Sequence, residues 1–546
     1  MNMAHIILQL DGKDVDVSKN EKHVKIIPLD KGRIFILGHS DTFRHLENSR
    51  QDFIISLGYA GYIDGDLAQQ TLSHILNCFD ASQIGDLKKK LVGQFVMMIK
   101  KHQQIYLFSD FIGGRNIFYS KDGTIVSTSF SLLENLVQTD AHALDQNKVF
   151  EYLAMRYVQF PAWIGRFTQH KSIKWLLPNE YMTINLDDSS IQIGSVTFSL
   201  DNRKETICSN LANDLLSILK SIIYRSEYKE SPVAASITGG RDTRLVAAIA
   251  ADYYSEMHYR IAVSSQDGNS LKDLKIARKV AKSRGMKLDV YRFQPSRDAE
   301  KFISLTEALT PSYNHTITPL VENSHAYALG FGGAFGSQLF APIPWTTIDD
   351  FVTTKLKHAK RFLSVPEDFW DYVHDLLMEE FQRSKNVYYL HDMNDKDYIR
   401  LFQIFNAARY ASFIMSAYNN SGYQLEPYGT FAALELALQV SPELWGNHKS
   451  LSGDALVQKV VMARLNPKLG KILAYSTFRP MIPLSLTTFP LYSIGYANQL
   501  AFWARRKVRT CLQKPVRTKV LHGYHISNGW DRPFIDRIEK KYGWSK

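Results

Sequence analysis

The chain has 546 residues, room for two to four domains at roughly 100–200 residues each. A composition of 45% hydrophobic, 12% aromatic and 22% charged residues is that of an ordinary globular protein, and it excludes wholesale disorder, collagen-like repeats and a polytopic membrane protein. The net charge of +11 is gathered at one end: from 501 to 546 twelve basic residues face only Asp531, Asp536 and Glu539, so nine of the eleven charges lie in the tail and the basic isoelectric point is no argument for nucleic-acid binding.

Three isolated cysteines, Cys78, Cys208 and Cys511, make neither a disulfide framework nor a Cys-rich metal site, which predicts a reducing compartment. Met1–His5 lacks the basic and apolar regions of a secretory signal, so a cytoplasmic location is expected. Histidines are scattered without ligand spacing, and neither a structural zinc nor a nucleic-acid partner is expected.

In chain order, the first ~195 residues read mainly as β structure. The runs are Val24–Pro28, Arg33–Leu37, Gln94–Lys100, Gln104–Ser109 and Thr124–Thr128, with turn chemistry at Phe111–Gly114 and Asp122-Gly123. Leu67–Phe79 and Gln146–Tyr157 carry apolar residues at helical spacing. After Asp201–Lys204 the pattern alternates: helix Ile207–Tyr224, strand Pro232–Ile237, helix Arg244–Tyr254, strand Met257–Ser264, helix Leu271–Arg284, strand Leu288–Phe293. That alternation is the sequence form of a parallel α/β sheet. Beyond about Pro311 the chain is expected to be largely helical, with amphipathic segments at Glu367–Lys385 and Lys396–Tyr418. The uncharged run Pro480–Ala504 is long enough to span a membrane, but Pro480, Pro483 and Pro490 break it as a simple spanning helix.

The most informative stretch is Ser236-Ile237-Thr238-Gly239-Gly240-Arg241-Asp242-Thr243-Arg244. A buried strand ends in a hydroxyl residue, two glycines and an aspartate, and a helix begins at once. Glycines let backbone amides turn toward an anion, and the helix start adds unpaired N–H groups and a positive dipole end. The turn falls at the C-terminal edge of the first predicted parallel strand, where open α/β sheets bind ligands, so the pocket suits pyrophosphate. Asp242 is positioned to cap the helix or to hold Mg²⁺, roles that do not exclude each other. Arg241 and Arg244 flank the loop with positive charge, with a solvent-facing position on the helix the alternative for Arg244.

Thr238–Asp242 resembles the pyrophosphate loop of the asparagine synthetase-like enzymes, Ser-Gly-Gly-x-Asp-Ser, with Thr238 and Thr243 as hydroxyl-for-hydroxyl changes. Ser270–Ala277 with Val280-Ala281 resembles the family segment in which an acidic residue, here Asp273, precedes a helix near the nucleotide. Leu91–Phe95, Tyr106–Gly113, Ile117–Tyr119, Glu151–Tyr157 and Ile173–Tyr181 are similar, in order, to the glutaminase domain of those enzymes. The resemblance covers most of residues 50–300. It implies an α/β protein: an N-terminal Ntn-hydrolase-like αββα domain over 1–200, an adenine-nucleotide α-hydrolase-like (PP-loop) domain with a parallel sheet and added helices over 201–500, and a basic tail over 501–546.

Departures from the family pattern bear on chemistry. Glutamine hydrolysis needs an N-terminal cysteine; position 2 is Asn2 and the nearest cysteine is Cys78, so no glutaminase activity is expected. The second phosphate loop, Gly-x-Gly-x-Asp-Glu in the family, corresponds to Gly333-Ala334-Phe335-Gly336-Ser337-Gln338, without its acidic pair. That segment is either a phosphate contact or a glycine-rich packing turn. Glu426–Thr430 resembles the family's Pro-Phe-Leu-Asp segment, with Thr430 where Asp is usual; Arg409 precedes it either as a binder of phosphate or an acidic substrate or as a helix-surface or salt-bridged residue, and Arg479 lies near the family's catalytic lysine.

On the resemblance, ATP with Mg is the expected cofactor set. The nucleotide would be held by Ser236, Thr238, Gly239, Gly240, Arg241, Asp242 and Thr243, by Ser264 and Asp273, and by Gly333, Gly336 and Ser337. Asp242 would be the metal ligand, and Asp242, Arg409, Tyr428 and Arg479 the catalytic candidates. The implied reaction is adenylation of a small-molecule, sugar or peptide carboxylate, followed by amide formation with ammonia or a substrate amine, in surface-polysaccharide, secondary-metabolite or peptide biosynthesis. A homo-oligomer or a pathway partner is compatible with this. The competing reading is a catalytically inactive scaffold or binding subunit. The tail also admits two readings: Leu491, Ile494, Leu500 and Trp503 followed by Arg505-Arg506-Lys507 and Arg509 form either a peripheral contact with an anionic membrane or a terminal helix packed on the body with a solvated basic face.

Overall fold

A computed structural model describes residues 5–10, 24–37, 43–64, 67–137, 141–160, 162–264, 268–293, 326–390, 392, 394–418, 423–445, 455–474, 480–485, 487–494, 496–498, 500, 519–521, 524–526 and 539. Two six-stranded sheets, antiparallel wherever strands pair, are built wholly from residues before 196. In neighbour order the first runs Ile173–Trp175, Phe118–Ser120, Ile125–Ser127, His5–Gln9, Gly32–Leu37, Val24–Leu29. The second runs Ile191–Ser195, Glu180–Asn185, Gln104–Ser109, Phe95–Lys101, Phe53–Gly58, Phe43–Glu47.

Alternation of side chains along the strands stacks these sheets into four layers. Ile6, Leu8, Ile34 and Ile36 of the first sheet meet Ile55, Leu57, Val96, Met98, Met182 and Ile184 of the second in one apolar layer. The intervening residues face outward. Ile54, Met97, Ile99 and Phe108 pack on Leu72, Ile75 and Leu76 of the helix Ala68–Cys78. Ile7, Phe35, Phe118 and Trp175 pack on Phe130, Val149, Phe150 and Leu153 of the helices Phe130–Leu136 and Gln146–Val158. The result is the αββα sandwich.

A five-stranded sheet follows, parallel throughout. Its neighbour order is Lys287–Phe293, Met257–Ser264, Val233–Ser236, Leu329–Phe331, Tyr423–Leu425, so by chain order the strands run third, second, first, fourth, fifth. The helices Asp242–Ala250 and Gly268–Arg284 connect the first three strands. The central strand is short and small, Val-Ala-Ala-Ser, because helices cover both faces. Helix Cys208–Ile223 buries Leu211, Leu215, Leu219 and Ile222 at helical spacing, and helix Glu367–Val387 opens with Glu367 and Asp368 and closes with Lys385, in keeping with its dipole.

Beyond Pro311 the described residues are largely helical, as expected, and the short strands Leu329–Phe331 and Tyr423–Leu425 among those helices complete the sheet. The two halves share one core: Phe111 of the sandwich makes edge-to-face contacts with Phe198, Tyr388, Phe405 and Phe431. From the basic tail, Tyr524–Ile526 pairs with Lys519–Leu521 and with Leu363–Ser364 of the body. The rest of the tail except Glu539, together with Cys511 and Arg479, lies outside the described residues. Among the described residues no helix is long and apolar enough to cross a membrane.

Candidate nucleotide site

The sheet order reverses between the first strand, Val233–Ser236, and the fourth, Leu329–Phe331, and a crevice opens at the C-terminal ends of strands at such a switch point. Both glycine loops lie there, one after each strand. They touch. A Cβ on Gly333 would stand 2.5 Å from the Thr243 backbone nitrogen, and one on Gly336 would stand 2.5 Å from Asp242 Cγ, so only glycine lets the second loop close over the first. Phe335, between them, takes a left-handed φ of 74°.

Asp242 is at the centre. Its Oδ2 accepts from the Ser337 hydroxyl at 2.7 Å and its Oδ1 from Gln458 Nε2 at 2.9 Å. Gln458 Nε2 also lies 3.3 Å from the Tyr428 hydroxyl, which accepts from it. Burial, and next the charge of Asp242, push the Tyr428 phenol well above its ordinary range, so it remains protonated. Two side chains from other elements thus bond this carboxylate, and Tyr428 is linked to it through Gln458. The capping role open to Asp242 is not the one it takes: Arg241 occupies the N-cap position, and the aspartate side chain turns to Ser337 and Gln458.

The first loop is internally bonded. Thr238 N–H donates to Thr243 Oγ1 at 3.2 Å, Gly240 N–H to Thr238 Oγ1 at 3.1 Å, and Gly239 N–H to Asp273 Oδ1 at 3.0 Å. Asp273 is therefore at the loop, and Ser264 N–H donates to Ser270 Oγ just beyond it. Ser236 ends the central strand and Arg241 is buried beside Tyr428. Arg244 does not face solvent: it is fully buried, donates to the carbonyls of Ile472 and Gly239, and is lowered to about 10 by burial.

Beneath the second loop lies Glu426. Its carboxylate accepts from Ala334 N–H at 2.8 Å and from Gln424 Nε2 at 3.2 Å, and it fills the space where a Gly332 Cβ would be, 1.9 Å away. Burial lifts Glu426 to about 7. Its backbone N–H donates to Gln94 Oε1 of the sandwich, tying the N-terminal half to the site at 3.1 Å. Thr430, standing where the family has Asp, caps the next helix by accepting from Ala433 N–H at 3.3 Å.

Arg409 is placed elsewhere, and the expectation that it binds phosphate is corrected. Its guanidinium forms a buried ion pair with Glu380 Oε1 at 2.9 Å within the C-terminal half, and its hydrogen bond to the Trp163 carbonyl at 3.2 Å joins the two halves. Gln458 and Glu426 went unrecognised as site residues, although a glutamine within the apolar run Ala455–Val461 is a visible signal of a buried polar contact. Among the described residues no group of three or more His, Cys, Asp or Glu is arranged to hold a metal ion. Mg²⁺ carried in with phosphate typically needs only one or two protein carboxylates, and Asp242 fits that demand.

No family model matches the chain, and no curated protein matches it in sequence. Similar solved structures include the glutamine phosphoribosylpyrophosphate amidotransferase from B. subtilis complexed with ADP and GMP, at 12% identity over 53% of this chain and a TM-score of 0.22. NMN synthetase from Francisella tularensis is similar at 14% identity, covering 31% of this chain and 75% of that one, with a TM-score of 0.17. Glutamine-dependent NAD+ synthetase from Acinetobacter baumannii in complex with ADP is similar at 14% identity, covering 34% of this chain and 38% of that one, with a TM-score of 0.16. The chain spans 59% of the length of the first of these.

Proposed function

We propose that this chain is an ATP-dependent carbon–nitrogen ligase of the asparagine synthetase-like kind, which activates a substrate carboxylate and joins it to ammonia or a substrate amine without hydrolysing glutamine. The observation that carries this reading is the meeting of two glycine loops on Asp242 at the switch point of the parallel sheet. Magnesium, when bound, supplies charge neutralisation at the phosphates. The N–H groups of Thr238, Gly239 and Gly240 would serve the pyrophosphate only by leaving their present acceptors, Thr243 Oγ1, Asp273 Oδ1 and Thr238 Oγ1, while Asp242 orients the cation side. Ser337 and Gln458 fix the rotamer of Asp242, and the protonated Tyr428 hydroxyl stands ready to donate to an anionic oxygen. The proposal leaves out glutamine hydrolysis because the family's nucleophile is a cysteine, and among the described residues Cys78 ends a helix and Cys208 begins one, neither on a strand of the sandwich.

A second reading, a binding or scaffold subunit, is favoured by two observations: Ser337-Gln338 stands where the family has its acidic pair, and the N–H groups of Thr238, Gly239 and Gly240 are already given to Thr243, Asp273 and Thr238. Calorimetric titration with Mg·ATP, run beside Asp242→Ala, separates the two. Saturable binding that the substitution abolishes, followed by pyrophosphate release with a suitable carboxylate, is the expected result. A folded wild type that takes up no Mg·ATP would falsify the ligase reading and leave the scaffold.

A further inference from the structure

The αββα half contains a buried cation, Arg115, whose nearest carboxylate, Asp110, it shares with Lys88. Arg115 follows the turn Asp110–Gly114 and is 3% exposed, and its Nε and Nη2 have no hydrogen-bond partner. Burying an unpaired guanidinium costs several kcal/mol in ordinary circumstances, because neither water nor an acceptor replaces its lost hydration. The nearest carboxylate, Asp110, is already saturated by backbone donors: Phe95 N–H at 3.2 Å, Ile112 N–H at 3.2 Å and Gly114 N–H at 2.9 Å.

Charge counting leads the same way. On the far side of Asp110 lies a second buried cation, Lys88, whose ammonium donates to the Ser109 and Pro178 carbonyls. Glu180, the other carboxylate near Lys88, is paired with Arg166 at 2.5 Å. Among the described residues Glu180 also acts on Arg383, and burial lowers Lys88 to about 7, so Asp110 is the carboxylate that Lys88 and Arg115 share.

Beside Tyr423 and Asp110, which favour its charge, Arg115 has two neighbours that each keep an unpartnered nitrogen among the described residues. Gln94 gives its carbonyl oxygen to Glu426 N–H, which leaves Nε2 buried and unpartnered. His5, the first residue of its strand, is 3% exposed with Nε2 unpartnered, and burial together with the Arg115 charge lowers it to about 3. Gly58, at a φ of 89°, packs closely here: a Cβ would stand 2.2 Å from the Gln94 backbone carbonyl oxygen and 3.0 Å from Arg115 Nε.

We propose that the sandwich domain binds one small monovalent anion at the Arg115 guanidinium, beside His5 and Gln94 and under Gly58. Water would satisfy the N–H groups but leave the charge only partly compensated, whereas a halide or formate-sized ion answers both. This site is independent of the nucleotide reading.

Bromide is the probe. Crystals of the full chain grown or soaked in bromide should show an anomalous peak at Arg115, and Tm in potassium bromide should exceed that in potassium gluconate at equal ionic strength, saturating with bromide. Arg115→Gln should lose the saturable part of that shift. The anomalous measurement on the wild type stands even if the variant does not fold. Bromide peaks at surface positions with only water at Arg115, or a halide response identical in Arg115→Gln, overturns the proposal.

Discussion

Asp242 has two carboxylate oxygens and two neutral donors, and the donors come from opposite sides of the crevice. Asp242→Asn keeps the size of the side chain and removes the charge. It should therefore leave stability within about 1 kcal/mol while weakening Mg·ATP binding more than tenfold, as read by calorimetry. Gln458→Leu acts differently: it strips a donor from the carboxylate and from the Tyr428 hydroxyl, and should cost about 1–3 kcal/mol in urea unfolding. Glu426 adds a pH signature. Its folded pKa of about 7 lies above the ordinary 4.5, so the folded state holds this proton more tightly than the unfolded state. The stabilisation is complete below 4.5 and is lost as pH rises toward 7, by up to about 3 kcal/mol for a shift of that size. Glu426→Gln should flatten that part of the stability–pH curve. Asp242 and Tyr428 were legible because the loop motif and the segment around Glu426–Thr430 are local in sequence. Gln458 was not, since its partner is 216 positions away.

At the scale of elements, the first three parallel strands and their two helices were readable from periodicity. The fourth and fifth strands were not, and length is the reason. Leu329–Phe331 and Tyr423–Leu425 have three residues each, too few for a period to show, and each is defined by its partner rather than by its own pattern. The sandwich was half legible for a related reason: strands such as His5–Gln9 are buried on both faces and give a continuous apolar run instead of alternation. What the missing strands supply is the second glycine loop, so the element scale decides whether a site exists. Gly333→Ala would push a methyl group to 2.5 Å from the Thr243 backbone nitrogen, where neither side has a flexible end to yield. It should cost about 1–3 kcal/mol in denaturant unfolding and separate the loops, reducing Mg·ATP affinity along with stability. Gly240→Ala, whose Cβ would meet only the Thr238 hydroxyl at 3.1 Å, should be milder in stability.

Across the whole molecule the two halves are joined by buried polar contacts that no local pattern announces. Arg409 and Trp163 are 246 positions apart, Glu426 and Gln94 332. Burial works against the charge on Glu380, yet Arg409 and Arg383 outweigh it and hold that carboxylate at about 2. The sign follows from the depression: the stabilisation is present above the ordinary 4.5 and is lost as pH falls from there toward 2. Its window therefore lies below that of Glu426, and the two groups titrate separately. Removing Arg409 leaves Glu380 with Arg383 alone and frees the Trp163 carbonyl in a dry interface. Arg409→Leu should cost about 3–5 kcal/mol, and the double variant with Glu380→Gln should recover part of that loss, because the stranded charge goes with it. Arg409→Leu that remains folded at low temperature should bind Mg·ATP with wild-type affinity. Calorimetry at a temperature where circular dichroism shows native structure makes that comparison, and a selective loss of nucleotide binding there would return Arg409 to the site.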